Sequence, residues 1–144
     1  MIQPIEEIPN TPVGKRVSYR DMIRRDLKEA IESGIRKFEF VGDGYNYKYL
    51  ANYAREEARM ITHRTLRSMW AEERERARAA GDYIYPDEFR CRSYIVIHSR
   101  RESDRIHVYC EINPEYLKEY AEAELKRALA DLEKRKSKRG ANHE

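Results

Sequence analysis

What this chain has little of bounds it first. Two cysteines in 144 residues cannot form a disulfide framework. No CxxC or zinc-ligand spacing is present either. No apolar run approaches the length of a bilayer span and no signal peptide opens the chain, so a soluble, cytoplasmic protein with reduced thiols is expected. Catalytic signatures are missing too: there is no Ser-His-Asp pattern and no pair of catalytic carboxylates. The turn Gly42-Asp43-Gly44 lacks the spacing and the lysine of a phosphate loop. Neither a cofactor nor a metal is expected. Leu, Ile, Val and Phe together number only 27, which implies a thin core completed by self-association, as a homodimer. Charge of one sign is also lacking: 29 basic against 26 acidic residues leaves +3. That balance excludes an acidic mimic of DNA and gives no support to a uniformly basic binder, so any nucleic-acid site has to be a local patch.

One further absence is regional. From residue 49 to residue 117 there are twelve arginines and no lysine, while lysines are common on both sides. Arginine offers a planar fork for phosphate or carboxylate and stacks on aromatic rings, so the bias suits an interface.

The periodicities that remain give an order of elements. Residues 1–17 hold Pro4, Pro9 and Pro12 without periodicity and read as an irregular arm. Ser18 with Asp21 makes a capping box. It opens a helix through Ser33 with Tyr19, Ile23, Leu27 and Ile31 as its buried stripe and Gly34 as a left-handed cap. Residues 35–41 form a short strand with Phe38 and Phe40 on one face. Residues 46–80 contain no proline or glycine and read as one helix of about 50 Å. Its stripe is Leu50, Ala54, Ala58, Ile61, Thr65 and Met69, flanked by Leu66 and Trp70. Its end, AEERERARAA, has only alanines for an apolar face, and either projects into solvent or lies against another subunit. Asn113-Pro114 starts a final helix with the stripe Leu117, Ala121, Leu125, Ala128 and Leu132, running out into KRKSKR and a frayed tail over 138–144. The fold class is α+β, one domain over 18–137 in the order α-β-α-β-β-α, with a small antiparallel sheet packed on long helices.

The most informative stretch is residues 89–112, FRCRSYIVIHSRRESDRIHVYCEI, a β-hairpin whose faces are sorted by chemistry. Counting by twos places Cys91, Ser93, Ile95 and Ile97, then Ile106, Val108, Cys110 and Ile112, on a core face. The other face carries Arg90, Arg92, Tyr94, Val96 and His98, then Arg105, His107, Tyr109 and Glu111. With the turn at residues 100–103, Tyr94 sits opposite Tyr109, Ile95 opposite Val108, and Arg92 opposite Glu111, all favourable cross-strand pairs.

That polar face resembles, in general character, sheets that stack bases on aromatic rings while arginines hold phosphates. Tyr94 and Tyr109 are the candidate stacking pair. Arg90, Arg92 and Arg105, with Arg100 and Arg101 in the turn, outnumber Glu102 and Asp104, which makes the stretch locally +3. His98 and His107 are diagonal neighbours there and could serve as acid and base in RNA cleavage. No third ligand is spaced to join them around a metal. Tyr45 and Tyr47 are candidates for a recognition surface, whereas Tyr49 and Tyr53 suit the core. On the long helix, Arg64 and Arg67 lack nearby acids and are interface candidates. In overall style the chain resembles small, tyrosine-rich accessory proteins of phages and mobile elements, inhibitors of CRISPR nucleases among them. That resemblance implies stoichiometric binding rather than catalysis. The expectation is a non-catalytic binding protein whose partner is a protein or nucleoprotein complex and not a membrane, most specifically an inhibitor of a host defence system. The alternatives are direct RNA or DNA binding by the Arg/Tyr face, and a small metal-independent ribonuclease using His98 and His107.

Overall fold

The structure, a computed structural model, describes residues 19–43 and 47–142. The proline-containing arm, Ser18 of the capping box and Tyr45 lie outside the described residues. The elements are α1 (Tyr19–Glu32), β1 (Lys37–Asp43), α2 (Tyr47–Ala79), β2 (Ile95–Glu102), β3 (Arg105–Ile112) and α3 (Pro114–Asn142), an α+β order of α-β-α-β-β-α. The chain sorts into two compact units. One contains α1, the sheet and α2 up to Thr62; the other contains α2 from His63, the segment up to Arg92, and α3.

In the first unit the sheet order is β1-β3-β2, antiparallel throughout, so β3 is central. Its inner face buries Phe40, Ile95, Ile106, Val108, Cys110 and Ile112. Buried with them are Ile23, Leu27 and Ala30 of α1 and Leu50, Ala54 and Ala58 of α2. The stripe of α1 is centred one step from the four-residue series read in the sequence. Met22 and Asp26 are buried in it, while Tyr19 is exposed and Ile31 only half-buried. Gly34 ends α1 at φ 71°, with its N–H donating to Ile31 O and the Ile35 N–H to Ala30 O, a Schellman pattern. Gly42 serves a different need: a Cβ there would collide with Leu50 Cδ1, so the missing side chain leaves room for the buried Leu50 of α2. α1 and α2 are also clamped by charge. Arg24 donates through Nε and Nη2 to both oxygens of the buried Glu57, at 3.0 and 2.9 Å.

The hairpin forms, but in a different register. β2 begins at Ile95 and Ile95 faces Ile112, four residues from the Val108 pairing expected from sequence. None of the three expected pairs occurs. The turn is the two-residue Ser103-Asp104, with Ser103 at φ 55°. Two physical causes act together. A tight turn matches strand twist better than a four-residue one. The start of β2 is also fixed by Thr62: its Oγ1 lies 3.0 Å from Ser93 Oγ and accepts from the Tyr94 N–H at 3.3 Å. Residues 89–94 therefore leave the sheet. Because a shift of four is even, every side chain from Ile95 onward keeps its expected face.

α2 is a single unbroken helix, as its composition implies. Beyond Ala58 its buried positions continue by fours as Thr62, Leu66 and Trp70, then Ala77, and not through Ile61, Thr65 and Met69. The last of those is 42% exposed. Its end does not project bare: Ala77 is buried and a second Schellman cap at Gly81 folds the chain back, with Asp82 N–H donating to Ala77 O.

The core of the second unit is built on rings. Trp70 meets Phe89 edge-to-face at 4.8 Å and donates its indole N–H to Ala121 O at 3.1 Å. The Arg74 guanidinium lies over both rings and donates to Pro86 O. Ile84, Leu117, Ala121, Ala128 and Leu132 complete it, with Leu125 half-buried. α3 continues to Asn142, past the point where the basic run suggests fraying. Both cysteines are free: Cys110 lies in the sheet core, and Cys91 belongs to the segment before β2 rather than to a strand.

Candidate functional site

The outer face of the sheet is the surface the sequence singled out, and β1 changes its composition. Strand alternation places Lys37, Glu39 and Val41 of β1 beside Glu111, Tyr109 and His107 of β3. On the other flank, Val96, His98 and Arg100 of β2 face the same three residues. Tyr109 is thus the centre of the face, with Glu39 on one side and His98 on the other, and it is 40% exposed. Its neighbour His107 stacks on it, ring planes 14° apart and centroids at 6.0 Å. His107 Nδ1 lies 3.1 Å from Glu39 Oε2, and Nε2 lies 3.6 Å from Glu102 Oε2. The imidazole therefore bridges carboxylates of the two outer strands. Arg100 Nε reaches Glu102 Oε1 at 3.2 Å. A shallow depression of about 320 Å³ runs across the middle, lined by Lys37, Glu39, His98, Tyr109 and Glu111 among others. Cys110 also lines it, and burial pushes that thiol up to about 12, so it stays protonated and unreactive.

Several predicted members are elsewhere. Tyr94 is buried, 4% exposed, and precedes the strand, so it cannot stack a base beside Tyr109. Arg90 and Arg92 belong to the second unit, where Arg92 lies 4.7 Å over the Tyr116 ring. Arg90 lines a depression of about 690 Å³ with Tyr85, Tyr120 and Arg127. Arg101 faces Ile106, placing it by register on the inner side at the exposed far end of the hairpin, while Arg105 faces Glu102 at the turn. Arg64 and Arg67 are exposed on the second half of α2, with Arg67 Nε directed at His63 O. Tyr47 opens α2, but its side chain, like all of Tyr45, is outside what is described.

The basic patch counted along the sequence is consequently not a patch in space. Losing Arg90, Arg92 and Arg101 and gaining β1 leaves Lys37, Arg100 and Arg105 against Glu39, Glu102 and Glu111. Sequence reading missed Lys37 and Glu39 although the signal was there. The alternation of KFEFV that put Phe38 and Phe40 together on one face puts these two on the other. Among the described residues no group of three His, Cys, Asp or Glu side chains could hold a metal, and no helix is long and apolar enough to cross a membrane. What the face offers is a three-stranded platform with a shallow central depression, one exposed tyrosine backed by a stacked histidine, and charges that alternate in sign. No protein family, curated protein or solved structure that was compared matches this chain.

Proposed function

We propose that this chain is a non-catalytic binding protein that docks the outer face of its sheet on a protein surface, free or within a nucleoprotein complex. The carrying observation is the charge balance around Tyr109. A phosphate backbone is held by an excess of cations, and among the residues whose side chains are described this face has three acids for its three cations. Alternating signs around an exposed aromatic instead suit a protein partner of mixed charge, where they fix register and exclude wrong partners. The most specific form of the reading is an accessory inhibitor that occupies a defence nuclease.

The test is capture from host lysate with the wild-type chain beside Tyr109→Ala and Tyr109→Ala/His98→Ala. Both side chains are exposed, so folding is retained. A protein recovered by wild type and lost with the double variant, with recovery unchanged after nuclease treatment, supports the reading. Equal recovery by all three proteins refutes it. An inhibitor should in addition slow the captured nuclease at equimolar ratio.

A further inference from the structure

The basic and aromatic surface expected on the hairpin occurs instead at one end of the second unit. The last turn of α2 carries Arg76 and Arg78, and residues 134–139 of α3 add five more cations. Asp82 is the only acid within residues 76–85 and 134–139, and just outside them Glu73 pairs with Arg76 at 2.6 Å, Glu75 with Arg78 at 3.4 Å and Asp131 with Arg135 at 3.3 Å. The connecting loop alternates inward and outward. Asp82 and Ile84 point in, the latter 1% exposed, while Tyr83 and Tyr85 point out at 45% and 52% exposed.

This loop is fastened at Asp82, Tyr83 and Tyr85. The Asp82 carboxylate is gripped by Lys136 at 3.1 Å and Arg139 at 3.0 Å. Arg135 donates to Tyr83 O at 2.7 Å, and the same guanidinium lies 5.2 Å from the centroid of the Tyr85 ring. The two tyrosine rings meet edge-to-face at 4.7 Å. Their positions are therefore set before any ligand arrives, which removes most of the ordering cost of using them. Lys134 and Lys138, four residues apart on α3, are exposed and have no partner among the described residues. The helix dipole accounts for cations at a helix C-terminus. It gives no reason to hold two half-exposed tyrosines rigidly among them.

We propose that this end of the second unit is a contact site for single-stranded nucleic acid. Tyr83 and Tyr85 are its stacking platform, and Lys134, Lys138, Arg76 and Arg78 are its phosphate-facing cations. Stacking on tyrosine needs only the π-face every base has, and the cations supply the backbone attraction, so the ligand class is RNA or DNA strand without strong sequence preference. The site belongs to the second unit and shares no residue with the sheet face.

Fluorescence anisotropy with the full chain and fluorescein-labelled oligo(dT) and oligo(U) of about 15 nucleotides tests this, the two probes separating DNA from RNA. Binding should be measurable at low salt. Tyr83→Ser and Tyr85→Ser should each weaken it roughly 5- to 150-fold, the range for loss of one stacked base. Tyr83→Phe and Tyr85→Phe, which keep the ring face, should retain it. Lys134→Gln with Lys138→Gln should flatten the log–log salt dependence by about 1.4, near 0.7 for each phosphate contact on a single strand. Tyr109→Ala should change nothing, which keeps this site separable from the sheet face. Absence of binding at low salt, or wild-type affinity in the serine variants with their thermal melts unchanged, overturns the proposal. Competition by polyglutamate as effective as by oligonucleotide also overturns it, and assigns the patch to an acidic protein.

Discussion

The two units hold themselves together by different means, and one aspartate in each makes the difference measurable. The first unit buries aliphatic residues between its helices and a three-stranded ladder. Within it Asp26 is buried, and among the described residues its carboxylate meets the adjacent Arg25 at 3.2 Å and leaves one oxygen without a hydrogen-bond partner. Burial dominates there and raises the carboxyl above its ordinary value. The second unit has fewer aliphatics to bury and substitutes rings and the planes of arginines. There Asp82 is held by two cations from α3, Arg139 first and Lys136 second, and its carboxyl is lowered. The lesson concerns composition. A chain short of aliphatic residues can still form two compact bodies if the second is stapled by cations over aromatic faces and carbonyls.

The strongest way to break the comparison is to remove the ring at the centre of the second unit. Trp70→Ala deletes a buried side chain, its edge contact with Phe89 and its hydrogen bond to Ala121 O. The expected cost is about 3–5 kcal/mol. Hydrogen exchange should show the loss in α3 and the second half of α2, while amides of β1, β2 and β3 keep most of their protection. Uniform loss of protection would mean that the two units unfold as one. Trp70→Phe, which keeps a ring but loses the donor, should cost far less.

The two aspartates predict opposite responses to acid. Asp26 has a raised folded value, so it adds stability only when protonated. That contribution is complete below its ordinary value of 3.8 and is lost as pH rises through the folded one. Asp82 has a lowered folded value, so it adds stability above 3.8 that disappears as pH falls through the folded one. Acidification from neutrality should therefore first strengthen the first unit and afterwards weaken the second. Trp70 is the only tryptophan and reports on the second unit, while amide exchange in the sheet reports on the first. Asp26→Asn should raise the urea midpoint at neutral pH and have no effect well below 3.8. Asp82→Asn should lower it at neutral pH and flatten the acid limb of the tryptophan signal. A common response of both probes would sink the distinction.

How much of this was legible in the sequence varied by element, for physical reasons. Element order and the faces of β2 and β3 were readable because a period of two is local and survives any even register shift. Gly34 was readable because a helix that stops at glycine needs little else. The register was not, because Thr62, distant in sequence, decides where β2 begins. The candidate site failed for the same reason. Its electrostatics depend on which strand joins β3, and Glu39 enters only through the β1–β3 ladder. Tyr94 looked like a surface residue by alternation, but alternation applies only inside a strand. The fastening of Tyr83 and Tyr85 was not readable, because it comes from α3, some fifty residues along the chain.

The smallest expected effect concerns the hairpin turn that set the register. Ser103 occupies φ 55°, while Asp104 is not at positive φ, the sign pattern of a II′ turn, whose first central position favours glycine. A side chain there crowds its own backbone at a cost of about 1–2 kcal/mol. Glycine removes that strain but adds freedom to the unfolded chain, worth about 0.5–1 kcal/mol in the other direction. Ser103→Gly should therefore stabilise the first unit by about 0.5–1 kcal/mol, the difference between those two ranges. The gain should appear in exchange rates at Glu102 and Arg105, which close the turn, and not in the tryptophan signal of the second unit. A fall in stability would show that Ser103 contributes more through its hydroxyl than it costs through its backbone. The two-residue turn, and with it the four-residue displacement of the register, would then rest on that side chain rather than on strand twist alone.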